Sequence, residues 1–353
     1  MNNKLLTLAV PTYNMEKYLA RCLDSVLCEN QDYLEVLVVN DGSKDRSSEI
    51  GHEYESKYPD VIRVIDKENG NYGSCVNRAL SEAKGKYFRM LDADDWCDTQ
   101  ALNQWLEELK SCDADMLLTI SEDRGENGEL LTRMDAPQIV LPGKVYQMAD
   151  FDGVKLGYSY LFCSHIVTYK TEILHKIGLQ LQHGISYTDN EYVYFPMNHC
   201  QTVVYYDLPI YQYFVGREGQ TTDPKVMSKS VDQIMKVFNR LWEDFAENSG
   251  SRPLAVSNNQ RILLAEMISW VYRSAFSGTD ADKFQPIVEN LEAKLKTDEV
   301  LIQLLHRHRF IKYGVNVYEY YQKTGRFLNH PITKMRLTYS RVSRFILRKL
   351  GAL

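Results

Sequence analysis

VPTYN at residues 10–14 is the first of three polar loops that decide the fold of this chain. The second loop is VNDGSKD at 39–45, and the third is LDADD at 91–95. Each loop follows a short apolar run, and segments with helical periodicity separate the runs. Loops at the exits of successive strands line the ligand-binding crevice of an open α/β sheet. The three loops therefore predict one shared binding edge.

The apolar runs themselves predict a parallel sheet. They lie at residues 5–10, 36–40, 61–65, 87–91 and 115–120. Strands that alternate with helices form a mostly parallel sheet with helices on both faces. Because the pattern ends after about five strands, it favours a doubly wound sheet over a barrel. Helical periodicity dominates the later sequence, so we expect an α/β domain at 1–222 and a mainly α-helical region at 223–353.

The LDADD loop crowds three carboxylates, those of Asp92, Asp94 and Asp95, into four residues. Like charges this close repel each other, and a divalent cation removes the repulsion. Mg²⁺ prefers oxygen ligands and is commonly held by one or two carboxylates and substrate phosphates. The alternative is a helix cap, with Asp94 or Asp95 starting a helix at 99–109. Together with the other two loops, the string predicts a nucleotide and metal site.

The composition is that of a globular chain of 353 residues, 44% of them hydrophobic. No apolar run approaches the roughly 18–20 residues of a membrane span. The start, MNNKLLTLAV, leads directly into a predicted strand, so we expect a cytoplasmic protein. The seven cysteines form no C-x-x-C pair, which predicts free and mainly buried thiols.

Charge is divided unevenly along the chain. Residues 306–353 contain eleven Lys or Arg and one acid, whereas residues 1–305 contain 30 basic and 46 acidic residues. Segment 334–350 has its apolar and basic residues on opposite arcs of a helical wheel. Such a helix either lies on an anionic membrane, here the inner face of the plasma membrane, or docks on the preceding helices. Nucleic acid is not an expected partner, because the body is acidic and no binding module is recognisable.

Four segments in order resemble family 2 glycosyltransferases with the GT-A fold. They are the three loops and ENGNYGSCVNRA at 68–79, and the resemblance covers about residues 4–220. It implies an inverting, hexosyltransferase-like enzyme that uses a nucleotide-sugar donor, usually a UDP-sugar, with Mg²⁺ or Mn²⁺. The implied acceptor is a hydroxyl of a saccharide or lipid-linked saccharide, in cell-surface polysaccharide or glycoconjugate biosynthesis.

The resemblance also implies donor-site residues. It places Pro11, Thr12 and Tyr13 at the nucleotide and Asp41 on the uracil N3–H, a charge-assisted hydrogen bond. The remaining implied donor contacts are Lys67, Asn69, Gly73, Arg78, Asp92, Ala93 and Arg217. Asp94 is the implied metal ligand, with Asp92 contacting the metal or the ribose. For Lys67 and Arg78 a solvated surface role stays open, and Arg217 can equally pair with an acid.

Asp189 aligns with the catalytic carboxylate of that family, within Tyr-Thr-Asp-Asn-Glu-Tyr at 187–192. An ionised Asp can take the proton of an acceptor hydroxyl as the oxygen attacks C1. Thr188 replaces the usual Glu of the family motif, and Glu191 is the competing base. The Q-x-x-R-W signature of processive members is absent, which predicts transfer of one sugar per encounter.

Two alternatives belong to other classes of protein. A sugar nucleotidyltransferase would carry a glycine-rich phosphate loop after the first strand, but PTYNMEKY contains no glycine. A catalytically degenerate GT-A protein could serve as a binding component of a polysaccharide-assembly complex. The presence of Asp41, Asp92, Asp94 and Asp189 together argues against that degenerate protein.

Overall fold

The computed structural model describes residues 4–135, 139–157, 162–217, 219–277, 281–307 and 316–327. The basic segment at 334–350 lies outside these residues. The chain divides into two compact units, Met1–Glu218 with Asn239–Leu263 and Gly219–Phe238 with Leu264–Leu353. The predicted domain boundary at residue 222 stays a prediction.

Twelve strands are present in the described residues. Their bounds are β1 Leu6–Thr12, β2 Leu34–Asn40, β3 Ile62–Asp66, β4 Tyr87–Met90, β5 Trp96–Cys97, β6 Met116–Leu118, β7 Ser121–Arg124, β8 Leu130–Arg133, β9 Val145–Gln147, β10 Val167–Lys170, β11 Thr202–Tyr205 and β12 Tyr211–Phe214.

The described α-helices alternate with strands up to β4, are mixed with successive strands up to β12, and then follow one another. Their bounds are α1 Leu19–Ser25, α2 Ser47–Lys57, α3 Asn71–Glu82, α4 Thr99–Leu109, α5 Thr171–Lys176, α6 Asp189–Tyr194, α7 Pro224–Lys229, α8 Val231–Asn248, α9 Leu254–Ser277, α10 Ala281–Leu295, α11 Glu299–Leu305 and α12 Val317–Thr324. After β12 every described element of regular secondary structure is a helix, as the sequence predicts.

The large sheet has the strand order β3-β2-β1-β4-β10-β6-β11-β9. Strands β3, β2, β1 and β4 are parallel, and β10 enters antiparallel between β4 and β6. Strand β11 is parallel to β6, while β9 closes the edge in the antiparallel direction. The sheet is therefore mostly parallel, and the expected α/β fold is confirmed.

Helix α4 shows why these segments fold as they do. Its apolar residues recur at helical spacing, so one face is hydrophobic. That face is buried in the same core as the strands, with Trp105 fully inaccessible to solvent. All seven residues of β2 are buried too, as expected of a central strand covered on both faces.

The cap of α4 differs from the alternative that the sequence left open. Asp98 is the capping residue, because its carboxylate accepts a hydrogen bond from the Ala101 N–H at 2.8 Å. Asp94 and Asp95 lie before the cap and make other contacts. The helix-cap interpretation of these two residues is therefore wrong.

A second sheet of four strands has the order β5-β12-β7-β8. Strand β5 comes directly after the LDADD loop, and β12 pairs with it in the antiparallel direction. This pairing brings residues 211–214 beside the acidic loop, although more than a hundred residues separate them in sequence.

The described residues give two findings on the cysteines and on helix length. All seven cysteines are free thiols, and five of them are buried. Within the same part of the chain, no helix combines the length and apolar character that crossing a membrane requires.

Candidate active site

The three predicted loops meet at one edge of the large sheet. The Asp41 N–H donates to the Thr12 carbonyl at 2.8 Å, which joins the ends of β1 and β2. The Leu91 N–H donates to the Ala9 carbonyl at 2.9 Å, which joins the end of β4 to β1. Tyr13 is 46% exposed at this edge, so its ring is accessible to a flat ligand.

Asp41 is buried and anchors the loop that starts α3. Its Oδ1 accepts from Lys67 Nζ at 2.6 Å and from the Gly70 N–H at 2.9 Å. Its Oδ2 accepts from the Asn71 N–H at 2.8 Å, and the Asn69 side chain donates to the Asp41 carbonyl at 2.9 Å. Lys67 is therefore paired with Asp41, and its contact with a diphosphate stays a prediction.

Two of the other predicted donor residues, Gly73 and Arg78, contact other parts of the protein. Gly73 lies in α3, and a Cβ at this position would overlap the carbonyl oxygen of Gln182. The missing Cβ thus permits close packing of α3 against the chain at Gln182. Arg78 is half-exposed and pairs with Glu82 one turn later, at 2.6 Å. The roles of Gly73 and Arg78 in donor binding stay predictions.

A cluster of polar side chains lies where the LDADD loop meets β12. Tyr72 donates its hydroxyl hydrogen to Asp92 Oδ1 at 2.8 Å. Asp95 is fully buried, and it accepts from the Tyr211 hydroxyl at 2.6 Å and the Phe214 N–H at 2.7 Å. The Tyr211 oxygen in turn accepts from the Asp92 N–H at 3.2 Å.

His165 completes this cluster from the segment before β10. Its ring stacks on Tyr211 at 4.4 Å and on Tyr213 at 4.7 Å between centroids. Its backbone carbonyl accepts from the buried Arg89, which also donates to the Thr119 hydroxyl at 2.9 Å. Arg89 thereby holds the His165 segment against the sheet.

Burial dominates the electrostatics of the cluster. It raises the pKa of Asp92 to about 7, with repulsion from Asp94 as the next cause. Burial and then the charges of Asp94 and Asp92 raise the pKa of Asp95 well above its usual range. Burial, followed by repulsion from Arg89, lowers the pKa of His165 to about 3. His165 is therefore neutral, and its 3.9 Å separation from Asp92 is not an ion pair.

This donor set fits a divalent cation. One oxygen each of Asp92 and Asp95 and one ring nitrogen of His165 lie within 4.8 Å of one another. Two carboxylates and a neutral imidazole suit Mn²⁺, since an imidazole is a weaker ligand for Mg²⁺. A bound cation would also offset the repulsion that raises the carboxylate pKa values.

Asp94, the predicted metal ligand, lies outside this three-residue cluster. Its Oδ2 accepts from Arg217 Nε at 2.6 Å, and its backbone carbonyl accepts from Arg21 Nη2 at 2.7 Å. Arg217 thus pairs with an acid, which is the alternative that the sequence left open. Arg21 itself stacks on Trp96, with 3.9 Å between the guanidinium carbon and the ring centroid. Metal binding by Asp94 stays a prediction.

Asp189 starts helix α6 and is partly exposed. Burial raises its pKa to about 6, and hydrogen bonds, including one to Ser164, oppose that rise. The charge of Asp189 is among the causes that raise the pKa of Asp92, so the two carboxylates are close enough to repel each other. Asp189 can therefore accept a proton near neutral pH, beside the predicted donor site.

Glu191, the competing base, is completely buried. Its oxygens accept from the Gln182 N–H at 2.7 Å, the Gln182 side chain at 2.6 Å and Arg240 Nη1 at 2.8 Å. A carboxylate held by three donors and closed to solvent is a poor general base. The geometry favours Asp189 over Glu191.

Backbone strain is concentrated in the same loops. Asn14, Asn71 and Tyr187 are the non-glycine residues with positive φ among the described residues. Asparagine tolerates this conformation, whereas for tyrosine it is costly. Tyr187 has a φ of 67° two residues before Asp189, and such strain is commonly found at functional sites.

Sequence reasoning did not identify Tyr72, His165, Tyr211 or Arg240 as site residues. Tyr72 falls inside the segment 68–79 that carries the resemblance, so a signal was present for it, whereas Tyr211 lies only within the broader range 4–220. His165 and Arg240 come from segments without a motif, and only the packing of β10 and α8 brings them to these carboxylates.

Comparison with protein families finds a match to the family model described as Glycosyl transferase family 2, over residues 7–178. EpsH of Bacillus subtilis (strain 168) is 26% identical over 218 residues, which are 60% of this chain and 61% of EpsH. The poly(ribitol-phosphate) beta-glucosyltransferase of Bacillus spizizenii is 34% identical over 128 residues, 35% of this chain and 20% of that protein. The chain thus spans less than two thirds of either relative.

Among solved structures, TarS 1–349 of S. aureus in complex with UDP-GlcNAc is similar in fold. The two chains superpose with a TM-score of 0.52 and 20% sequence identity, over 85% of this chain and 79% of TarS 1–349. At this identity the likeness concerns the fold alone.

Proposed function

Residues 7–178 of this chain form a family 2 glycosyltransferase domain on a GT-A fold, and we propose that the protein moves one sugar from a nucleotide-sugar donor to a hydroxyl group. The observation that carries the proposal is the cluster of Asp92, Asp95 and His165, whose ligand atoms lie within 4.8 Å of one another and can hold a cation. Asp189 is the proposed acceptor of the proton, and its charge is among those that raise the pKa of Asp92.

On the donor side, the proposed nucleotide pocket lies between Tyr13 and Asp41. The exposed Tyr13 ring can stack on a base, as aromatic side chains do in nucleotide sites. Asp41 follows β2 at the same edge, and its carboxylate is the proposed acceptor of a uracil N3–H, a charge-assisted hydrogen bond. A UDP-sugar is the proposed donor.

The proposed cation is Mn²⁺ or Mg²⁺, held by Asp92, Asp95 and His165, with Asp94 as the further ligand that the family resemblance implies. The chemistry it supplies when bound is neutralisation of the charge that develops on the leaving diphosphate. Tyr72 and Tyr211 hold Asp92 and Asp95 in place through the hydrogen bonds already described.

On the acceptor side, Asp189 takes the proton of the attacking hydroxyl as the oxygen bonds to C1 of the donor sugar. The C1 bond to the diphosphate oxygen breaks on the opposite face, so the transfer inverts the configuration. The proposed acceptor is a saccharide or lipid-linked saccharide in polysaccharide or glycoconjugate biosynthesis. The similarity to a glucosyltransferase that acts on poly(ribitol-phosphate) supports an acceptor of this general kind.

Calorimetric titration of the full chain with UDP tests the donor site, with and without Mn²⁺. We expect binding that requires Mn²⁺ and that is lost in Asp92→Asn, because the variant removes one cation ligand. A second variant, Asp94→Asn, distinguishes a cation site that includes Asp94 from one that does not. If Asp94→Asn keeps Mn²⁺-dependent binding, the cation lies on Asp92, Asp95 and His165 without it.

Two controls complete this titration. Asp113→Asn changes an exposed acid outside the site and should bind UDP as the wild type does. UDP binding without any UDP-sugar turnover in the presence of acceptors would favour the binding-only alternative. No UDP binding under any condition would contradict the proposed donor.

A further inference from the structure

A polar cavity of about 400 Å³ lies at the end of α6 opposite to Asp189. Its walls are the segment 177–180, which precedes the catalytic loop, and residues 195–199, which follow α6. The third wall comes from residues 240–252, which belong to the same compact unit. The volume lies within the usual range of small-molecule sites.

Arg240 lines this cavity and has hydrogen-bond donors beyond those that its protein partners use. Its Nη1 donates to Glu191 at 2.8 Å and to the Gln180 carbonyl at 3.0 Å. The guanidinium also stacks on Phe195, with 4.8 Å between its carbon and the ring centroid. Its Nε and Nη2 make no hydrogen bond to any residue that the structure describes, and 38% of the side chain is exposed.

The charges around the cavity favour an anion. Glu191, which pairs with Arg240, is fully buried, whereas 38% of the Arg240 side chain is exposed. Arg252 also lines the wall and is paired with Asp244 at 2.8 Å. After burial, the positive charges of Arg252 and Lys176 are the next causes that lower the pKa of His199. The charge of Asp244, the partner of Arg252, opposes this lowering, so Arg240 is the lining cation whose acidic partner is closed to solvent.

We propose that this cavity binds an anionic group, a phosphate or a carboxylate carried by a polyol or saccharide. The free Nε and Nη2 of Arg240 form the planar donor pair that binds such oxygens bidentately. The Asn248 side chain in the same wall is a polar group suited to a hydroxyl. This site is separate from the donor site and does not require turnover.

Glu191 links the cavity to α6, the helix that begins with Asp189, because Glu191 lies in α6 and pairs with Arg240. An anion on Arg240 competes with Glu191 for the guanidinium, because one cation then serves two acids. Glu191 also accepts the Gln182 N–H, so a change in that ion pair alters this hydrogen bond. The Gln182 amide therefore reports on the cavity, and Asp189 lies two residues from Glu191 in α6.

Titration of the ¹H–¹⁵N spectrum of the full chain tests the proposal. The probes are glycerol 3-phosphate and glucuronate, each compared with its neutral counterpart, glycerol or glucose. We expect saturable shifts of the Arg240 Nε–H and Gln182 N–H signals with the charged probes alone. A response to the phosphate but not to the carboxylate assigns the site to phosphate, and the reverse assigns it to carboxylate.

A matched pair of variants places the binding in the cavity. Ser251 is exposed in the cavity wall, and Ser251→Asp adds a negative charge there, whereas Ser251→Asn has nearly the same size without it. We expect Ser251→Asp to weaken binding about tenfold, through like-charge repulsion at a partly solvated site, and Ser251→Asn to bind as the wild type does.

Several results would overturn the proposal. They are no saturable shift in the wild-type chain, equal shifts with glycerol and glycerol 3-phosphate, or equal affinity in the two Ser251 variants. Since these spectra need neither donor nor turnover, failure here leaves the proposed sugar transfer standing. Loss of UDP binding in the calorimetric test would likewise leave this site standing.

Discussion

Asp189 and Glu191 are two carboxylates separated by one residue, and their surroundings give them different chemistry. Asp189 is partly exposed at the start of α6, whereas Glu191 is buried and held by Gln182 and Arg240. The sequence showed both acids but not this difference in burial. Within the proposed mechanism, Asp189 is the base and Glu191 holds the segment in position.

The Asp189→Asn variant tests this division of roles. We expect kcat to fall by about 10²–10⁴-fold, the usual contribution of a general base, while Mn²⁺-dependent UDP binding is retained. Steady-state kinetics and calorimetry on the same preparation measure the two quantities. Glu191→Gln is the control, and it should lower the free energy of unfolding because Arg240 loses a buried charged partner. Near-normal kcat in Asp189→Asn would make the assignment wrong.

The raised pKa of Asp189 predicts the acid side of the pH–rate profile. A general base works in its ionised form, so kcat should be constant at high pH and fall as the pH drops below about 6. Below that point kcat should decrease about tenfold per pH unit, as one proton is taken up. The measurement is kcat with saturating donor and Mn²⁺. A rate independent of pH through this region would show that Asp189 is not the group that titrates.

At the scale of elements, α3 connects the two sides of the site. Its first turn is bound to Asp41 through the Gly70 and Asn71 amides, and its next residues pack against the 181–188 segment. Gly73 permits this contact because it has no Cβ. The same helix therefore positions the proposed nucleotide loop and the chain that leads to Asp189.

Gly73→Ala tests the packing of α3. The added Cβ meets the Gln182 backbone, which cannot rotate away as a side chain can, so α3 or the loop must move. We expect a loss of about 1–3 kcal/mol in the free energy of unfolding, typical of overpacking, together with reduced kcat. Thermal unfolding and kinetics measure these effects. The control is Gly250→Ala, whose Cβ would meet nothing within 4 Å; similar losses in both variants would contradict the packing argument.

At the scale of the whole molecule, an acidic body precedes a basic C-terminal segment. The amphipathic segment at 334–350 lies outside the described residues, so its membrane role stays a prediction from the sequence. In that role, the basic face would bring the chain to an anionic surface where lipid-linked acceptors are held.

Removal of residues 328–353 tests this role. We expect the full chain, but not the shortened chain, to sediment with vesicles containing phosphatidylserine, because the deleted segment carries the basic amphipathic face. Sedimentation at low and high salt measures the electrostatic part. UDP binding should persist in the shortened chain, which serves as the control for folding. Equal sedimentation of both chains would reject a membrane role for the segment.

The sequence by itself determined the α/β order, the edge at which VPTYN, VNDGSKD and LDADD meet, and the resemblance to family 2 glycosyltransferases. These features are local, since strand exits and turn residues can be read within a few positions. The tertiary structure decided the partners: Asp95 and His165 beside Asp92, Lys67 on Asp41, and Arg217 on Asp94. Such contacts join residues up to 123 positions apart, and burial sets their pKa values, so neither motif nor periodicity can reveal them.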